Sequence, residues 1–240
     1  MFFPLKDENP TRTFPVVTII LIAANCLVYF FQLALGDYGR MMLVHMYGVV
    51  PYEITHGVDV QPRVALGPYV TLFSSLFLHG GFFHLVGNMW FLWIFGNNVE
   101  DVTGHFRFVI FYLAGGVAAS LLQVAMNAES TVPIIGASGA VSAVLGAYML
   151  KFPRARIRTL MFIFIFITLV NVPAVTFIGI WFFIQLISSL GAAASNVAWY
   201  AHIGGFLYGL AAILLFQKRD YPRGGPGGGR RVTTHRYRIY

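Results

Sequence analysis

The sequence contains very few charged residues. Only 10% of its 240 residues are Asp, Glu, Lys or Arg, and 58% are hydrophobic, whereas a soluble domain is usually about 25% charged. So few charges could not cover a water-facing surface, which excludes a soluble globular enzyme. Disorder over the main body is excluded as well, because disordered segments are poor in apolar residues. The composition therefore predicts a membrane protein.

Cysteine and metal-binding patterns are scarce too. Cys26 is the only cysteine, so no internal disulfide can form and a metal held by thiolates is not expected. The sequence has no HExxH motif and no Asp or Glu within a predicted span, so neither a zinc site nor a pair of catalytic aspartates is supported. His84 and His202 are the two side chains that could still share a metal. We expect no metal and no cofactor.

Six apolar segments are predicted to cross the membrane as helices, and a full helical pass needs about 20 apolar residues. The predicted spans are residues 14–35, 82–96, 108–128, 138–150, 174–190 and 198–217. Between them, residues 36–63 form a long connection and residues 97–107 a polar turn. Residues 159–170 are too short to span and are expected to be buried or interfacial. The predicted fold class is an all-α polytopic membrane protein.

The basic residues are distributed unevenly between the two ends of this bundle. Six spans place both termini on one side, and of the 16 Lys and Arg residues only Arg40 and Arg63 fall on the other side. The positive-inside rule therefore predicts cytoplasmic termini. The net charge of +7 fits this topology better than a nucleic-acid partner. We predict a cytoplasmic segment at 1–13, a membrane domain at 14–217 and a basic, Gly-rich cytoplasmic tail at 218–240.

With this topology, the second, fourth and sixth spans all begin at the outer face. The polar residues at their starts are His84, Asn88, Ser138 and His202, which therefore lie at similar depth. Polar side chains inside a membrane usually face the bundle interior or a wet cavity and are functional by default. This reasoning makes the four residues the candidates for chemistry.

Ser138 and His202 could form a nucleophile and its general base. Gly205 and Gly209 share a face of the sixth span, and small residues such as Gly139 on the fourth span allow the two backbones to approach closely. A helix start also offers unpaired backbone N–H groups, which can stabilise an oxyanion. Structural alternatives remain, with Ser138 as a helix cap and His202 as a hydrogen-bonding core residue. Because acids are absent from the spans, a dyad is expected rather than a triad.

His84 and Asn88 are four residues apart, so they share a helix face. They could donate hydrogen bonds to a developing negative oxygen. Alternatively, they form a polar patch that holds the second span against its neighbours. His79, just before this span, could serve either purpose.

Three motifs together resemble the rhomboid family of intramembrane serine proteases. They are GASG at 136–139, HLVGN at 84–88 and AHIGG at 201–205. The stretch 96–104 also resembles the family's turn after its second helix. The resemblance covers about residues 14–217, and the motifs occur in order on helices predicted to begin at one depth.

The resemblance implies a six-transmembrane-helix rhomboid-like bundle, integral to a prokaryotic cell membrane, in contact with lipids, with a water-accessible site that opens laterally. It implies Ser138 as nucleophile, His202 as general base, and His84, Asn88 and the Ser138 backbone N–H as oxyanion hole. Gly136 and Gly139 would flank the nucleophile. It further implies cleavage of single-pass transmembrane protein substrates in or near their spans, without a cofactor.

The sequence departs from the family pattern at two places. No Trp adjoins an Arg in the first outer loop, where many relatives have such a pair. Some relatives also carry a Tyr four residues after the nucleophile, stacked on the catalytic His, where this chain has Ser142. His202 must then be oriented otherwise, by Trp199, Tyr200 or Phe206.

Two other functions remain open. One is a catalytically silent rhomboid-like protein that binds membrane clients, although such relatives commonly lack the Ser or the His. The other is a transporter or channel, which would more often carry acids within its spans or broken helices in related halves.

Overall fold

A computed structural model describes residues 2–58, 67–163, 166–190 and 197–218 of the chain. The helices are α1 (Val16–Ala34), α2 (Gly36–Tyr47), α3 (Pro51–His56), α4 (Thr71–Ser74), α5 (Phe82–Thr103), α6 (His105–Met126), α7 (Ser138–Lys151), α8 (Ala174–Leu190) and α9 (Trp199–Phe216). Short 3₁₀ turns at Pro68–Val70 and Ser75–Phe77 flank α4, and three strands are β1 (Phe2–Asp7), β2 (Arg156–Ile163) and β3 (Phe166–Pro173).

The six predicted spans overlap with α1, α5, α6, α7, α8 and α9. Among the described residues, α1, α6 and α9 are each long and apolar enough to cross a bilayer alone. The bent pair Pro68–Phe77 and Phe82–Thr103, with an angle of 81° between its parts, would make a fourth, and α8 is a shorter apolar helix. Large apolar side chains such as Leu27, Phe83 and Leu215 are more than two-thirds exposed. The outer surface of the bundle is therefore suited to lipid, and the chain is a multi-pass membrane protein.

The centre of the bundle is α7, which packs against α5, α6, α8 and α9. Every residue from Gly139 to Tyr148 is buried. The backbones of α7 and α9 are in direct contact, because a Cβ atom on Gly205 would collide with the carbonyl oxygen of Gly139, and one on Gly209 with that of Ala143. Small residues at both faces make this approach possible.

The second span is longer than predicted. The polar turn expected at 97–107 is wrong in its bounds, because α5 continues through Thr103 before Gly104 ends it with a φ of 82°. Glu100 is fully buried and accepts hydrogen bonds from the N–H groups of Val17 (2.9 Å) and Thr18 (2.8 Å). These N–H groups lie at the start of α1 and have no intrahelical acceptor, so the carboxylate that seemed to mark a turn instead caps another helix.

The long connection predicted at 36–63 folds in part as α2 and α3. Val49, just before α3, forms a β-bridge with Ile134 in the connection that precedes α7. Residues 59–63 of the connection, Arg63 among them, lie outside the described residues, as do residues 219–240 of the predicted tail.

The predicted all-α architecture needs one amendment, a three-stranded antiparallel sheet in the order β1-β2-β3. The segment 159–170, expected to be short and buried or interfacial, belongs to the β2–β3 hairpin, of which residues 164–165 lie outside the described part. Residues 2–7 of the predicted N-terminal segment supply β1. Ile157 and Thr159 are fully buried on the inner face of the sheet, whereas Leu169 is half exposed. The apolar, β-branched and aromatic composition of this run favours strands.

Candidate active site

A cavity of about 1060 Å³ lies between the starts of α5, α7 and α9 and the side of α8. Its wall includes all four polar residues that the sequence indicated, namely His84, Asn88, Ser138 and His202. The fold thus brings residues from three distant segments to one end of the bundle. This common position agrees with the depth argument made from the sequence.

Ser138 and His202 are in direct contact. Ser138 is the first residue of α7, and its Oγ lies 2.9 Å from Nε2 of His202 near the start of α9. The close approach of α7 and α9 occurs one residue after Ser138 and three residues after His202, at Gly139 and Gly205. Ser142, one turn along α7, donates instead to the carbonyl oxygen of Ser138 (2.7 Å). The arrangement can move a proton from a hydroxyl to an imidazole.

A residue that the sequence reading missed contacts the other ring nitrogen of His202. Oε1 of Gln185, on α8, lies 2.8 Å from Nδ1 of His202, and Gln185 is only 7% exposed. The signal in the sequence was the single Gln of a mostly apolar predicted span, because a polar side chain inside a membrane is a functional indication.

The three residues suggested to orient His202 make different contacts. Trp199 meets the His202 ring edge-on, with centroids 5.9 Å apart. The Tyr200 hydroxyl donates to the carbonyl oxygen of Ser189 at 3.4 Å, and Phe206 stacks on Phe182 at 4.2 Å. Of the three, Trp199 is therefore the one with a ring contact to His202.

Asn88, a residue of the cavity wall, has an unused hydrogen-bond donor. Its side chain is 7% exposed, and its Nδ2 has no hydrogen-bond partner among the described residues. An unpaired buried polar group typically costs about 1–3 kcal/mol. Such a group is suited to an acceptor that arrives with a ligand.

His84 lies against Gly136, in the connection that leads into α7. A Cβ atom on Gly136 would be 2.8 Å from Cε1 and Nε2 of His84 and 3.8 Å from Oγ of Ser138. Gly136 also has a φ of 124°, where a side chain is strained. The residue must therefore be Gly for two reasons, and its lack of a side chain leaves room for His84 beside the nucleophile.

His79 lies behind His84, with ring centroids 5.2 Å apart. It is fully buried, and its two ring nitrogens have no hydrogen-bond partner among the described residues. Its backbone N–H donates to Oε1 of Gln32 at 3.0 Å. The cavity wall does not include His79. In the part of the chain that the structure describes, no cluster of three or more His, Cys, Asp or Glu could hold a metal ion.

Comparison with known proteins decides the family. The family model described as "Rhomboid domain" matches residues 67–219, which include α5 to α9 and every residue of the cavity wall except Pro51. The chain belongs to the rhomboid family. The resemblance drawn from the three motifs is thereby confirmed.

Three relatives show how this rhomboid chain compares with curated members. RHOMBOID-like protein 4 of Arabidopsis thaliana is 32% identical over 77% of this chain and 43% of its own length. The rhomboid protease GluP of Bacillus subtilis (strain 168) is 28% identical over 96% of this chain and 41% of its own. The presenilin-associated rhomboid-like protein, mitochondrial, of Mus musculus is 29% identical over 57% and 35%. The chain spans less than half the length of these relatives.

Proposed function

We propose that this rhomboid chain is an intramembrane serine endopeptidase that uses a Ser138–His202 dyad. The observation that carries the proposal is the 2.9 Å contact between Ser138 Oγ and His202 Nε2 at the wall of a cavity. Ser is a weak nucleophile unless an adjacent base takes its proton, and His202 is the base in reach. The resemblance to GluP, named as a protease, supports the same reaction.

The proposed mechanism uses only groups of the chain. Ser138 Oγ attacks the scissile carbonyl carbon while its proton passes to Nε2 of His202. The oxyanion that forms accepts hydrogen bonds from Nδ2 of Asn88 and from the backbone N–H of Ser138, which lacks an intrahelical acceptor. His84 is the further candidate donor. His202 then protonates the leaving amine, and water releases the acyl group by the reverse sequence of proton transfers.

The proposed substrates are single-pass transmembrane proteins, cleaved in or near their spans. Aromatic side chains of α5 and α8 line the cavity beside the dyad, among them Phe91 and Trp181, and the neighbouring Phe83 is 87% exposed on the outer surface. An apolar segment could thus approach the dyad from the lipid. No cofactor is needed for this reaction.

We also propose that the dyad lies toward the outer face of a prokaryotic cell membrane, with both termini in the cytoplasm. The basic asymmetry supports this orientation, because Arg40 belongs to the connection at the dyad end, whereas Lys151 ends α7 at the other. Topology reporters fused after residue 240 and within α2 should report opposite sides. An external C-terminus would contradict the orientation.

The experiment that tests the activity is cleavage of a model transmembrane substrate by the purified chain in liposomes. Wild type should cleave, and Ser138→Ala should not. A phosphonate probe should label Ser138 covalently, as located by peptide mass, and His202→Ala should label much more slowly. Folded wild type that neither cleaves nor labels would contradict the proposal and favour the client-binding alternative.

A further inference from the structure

We infer that Gln185 is a positioning residue for His202, holding the imidazole in the tautomer that can accept the Ser138 proton. The inference rests on the proposed function and adds Gln185 to the Ser138–His202 dyad as a hydrogen-bond acceptor for His202. The observation is that both ring nitrogens are engaged at once, Nε2 with Ser138 Oγ at 2.9 Å and Nδ1 with Gln185 Oε1 at 2.8 Å.

The direction of the second hydrogen bond follows from the atoms. A neutral imidazole carries one N–H, and an amide oxygen can only accept. Oε1 of Gln185 therefore faces a protonated Nδ1, and the lone pair is left on Nε2, directed at Ser138. If the amide were reversed, its NH₂ would donate to Nδ1, the proton would move to Nε2, and His202 could not act as the base.

Gln185 occupies the place that a carboxylate takes in Ser-His-Asp enzymes, where the acid fixes the tautomer and ring orientation. A neutral amide fixes both without adding a charge. At 7% exposure, a carboxylate would have to be desolvated, which is costly inside a membrane. Gln185 therefore orients the imidazole with a smaller desolvation penalty than a buried carboxylate would have.

A purely structural alternative is that Gln185 only ties α8 to α9. Both roles predict some loss of stability when the hydrogen bond is removed, so activity alone does not separate them. They differ in kcat per folded molecule and in pH dependence. A tie between helices has no reason to change either quantity, whereas a positioning residue changes both.

The test compares Gln185→Leu and Gln185→Glu with wild type in liposomes. Gln32→Leu is the matched control, because Gln32 is a buried Gln on α1 that bonds to the backbone of His79 and does not touch His202. For each variant, the folded fraction is measured by thermal unfolding, and kcat, KM and the pH–rate profile are measured per folded molecule.

We expect Gln185→Leu to lower kcat roughly 10- to 100-fold with little change in KM, by analogy with the loss found when the partner that orients a metal-binding His is removed. Gln185→Glu should restore part of kcat, because an ionised carboxylate also accepts from Nδ1. The rising limb of the pH–rate profile of Gln185→Glu should move to higher pH, since a neighbouring negative charge favours the protonated imidazole. Gln32→Leu should keep the wild-type profile.

Two results would overturn the inference. One is Gln185→Leu with kcat within about twofold of wild type. The other is a Gln185→Glu variant that is no more active than Gln185→Leu at any pH, or that has the same pH–rate profile as wild type. Either would assign Gln185 to packing while wild-type cleavage and Ser138 labelling stand. If wild type neither cleaves the substrate nor is labelled at Ser138, the proposed function itself would be refuted.

Discussion

Gly205→Ala should separate the two helices that carry the dyad. The added Cβ atom would collide with the carbonyl oxygen of Gly139, and it would lie 2.9 Å from the carbonyl carbon of Gly139 and 3.2 Å from Cβ of Ser142. None of these atoms is the mobile end of a side chain, since two are backbone and the third is a Cβ. The collision can therefore be relieved only by moving α9 away from α7.

The size of the movement follows from these distances. Ordinary van der Waals contact of a Cβ atom begins at 3.4 Å, so the carbonyl carbon at 2.9 Å alone requires a shift of roughly 0.5 Å. The carbonyl oxygen requires a larger shift. His202 lies one turn before Gly205 on the same helix, so the 2.9 Å contact with Ser138 lengthens with the shift. A misplacement of about 1 Å can lower the rate by about 10²-fold. Overpacking should also cost about 1–3 kcal/mol of folding stability.

Cleavage of a model transmembrane substrate in liposomes measures this effect, with kcat expressed per folded molecule. Gly179→Ala is the matched control, because Gly179 lies within α8 and a Cβ there has no described atom within 4 Å. The control should keep wild-type turnover. If folded Gly205→Ala also turns over at the wild-type rate, the α7–α9 contact does not determine the dyad geometry.

Three further predictions concern single residues around the bundle. Asn88→Ala should lower kcat by roughly 10²- to 10³-fold at most, as does the loss of one oxyanion donor, and the thermal unfolding midpoint should change little. Normal turnover would show that Asn88 has only a structural role. Gly136→Ala should both strain the backbone and push against His84, so Ser138 labelling should slow sharply, and a normal labelling rate would contradict the geometry. Burial raises the pKa of Asp7 from 3.8 to about 7, although a hydrogen bond from Tyr148 opposes this. The folded state then holds this proton more tightly than the unfolded chain, so thermal stability should fall as pH rises from about 4 to about 7, and Asp7→Asn should remove that fall. An equal pH dependence in the variant would show that other groups cause it.

The positions of the helices could be read from the sequence because apolar run length is a local property. The run predicted at 174–190 is α8 with the same bounds, and the run at 198–217 differs from α9 by one residue at each end. The family could be read as well, because its three motifs are short, ordered and local. The four candidate residues at 84, 88, 138 and 202 share one cavity wall, and their catalytic roles stay predictions.

The end of α5 and the small sheet could not be read from the sequence. Charge near residue 100 normally indicates a turn, and Glu100 is buried only because the start of α1 supplies N–H donors more than 80 residues away. Similarly, a continuous apolar run cannot be assigned to helix or strand by periodicity. Residues 156–163 form β2, which pairs with β1, and the β1 residues lie about 150 positions earlier in the chain than their β2 partners.

Local sequence thus determined which segments form apolar helices and which residue types are available for chemistry, because hydropathy and motif spacing act over a few residues. Which groups touch was decided by packing. The contact of Gln185 with His202 depends on α8 lying beside α9, and the contact of Ser138 with His202 depends on glycines that let α7 and α9 meet. Such contacts join residues 17 and 64 positions apart, and a hydrogen bond depends on tenths of an ångström, which only the assembled bundle defines.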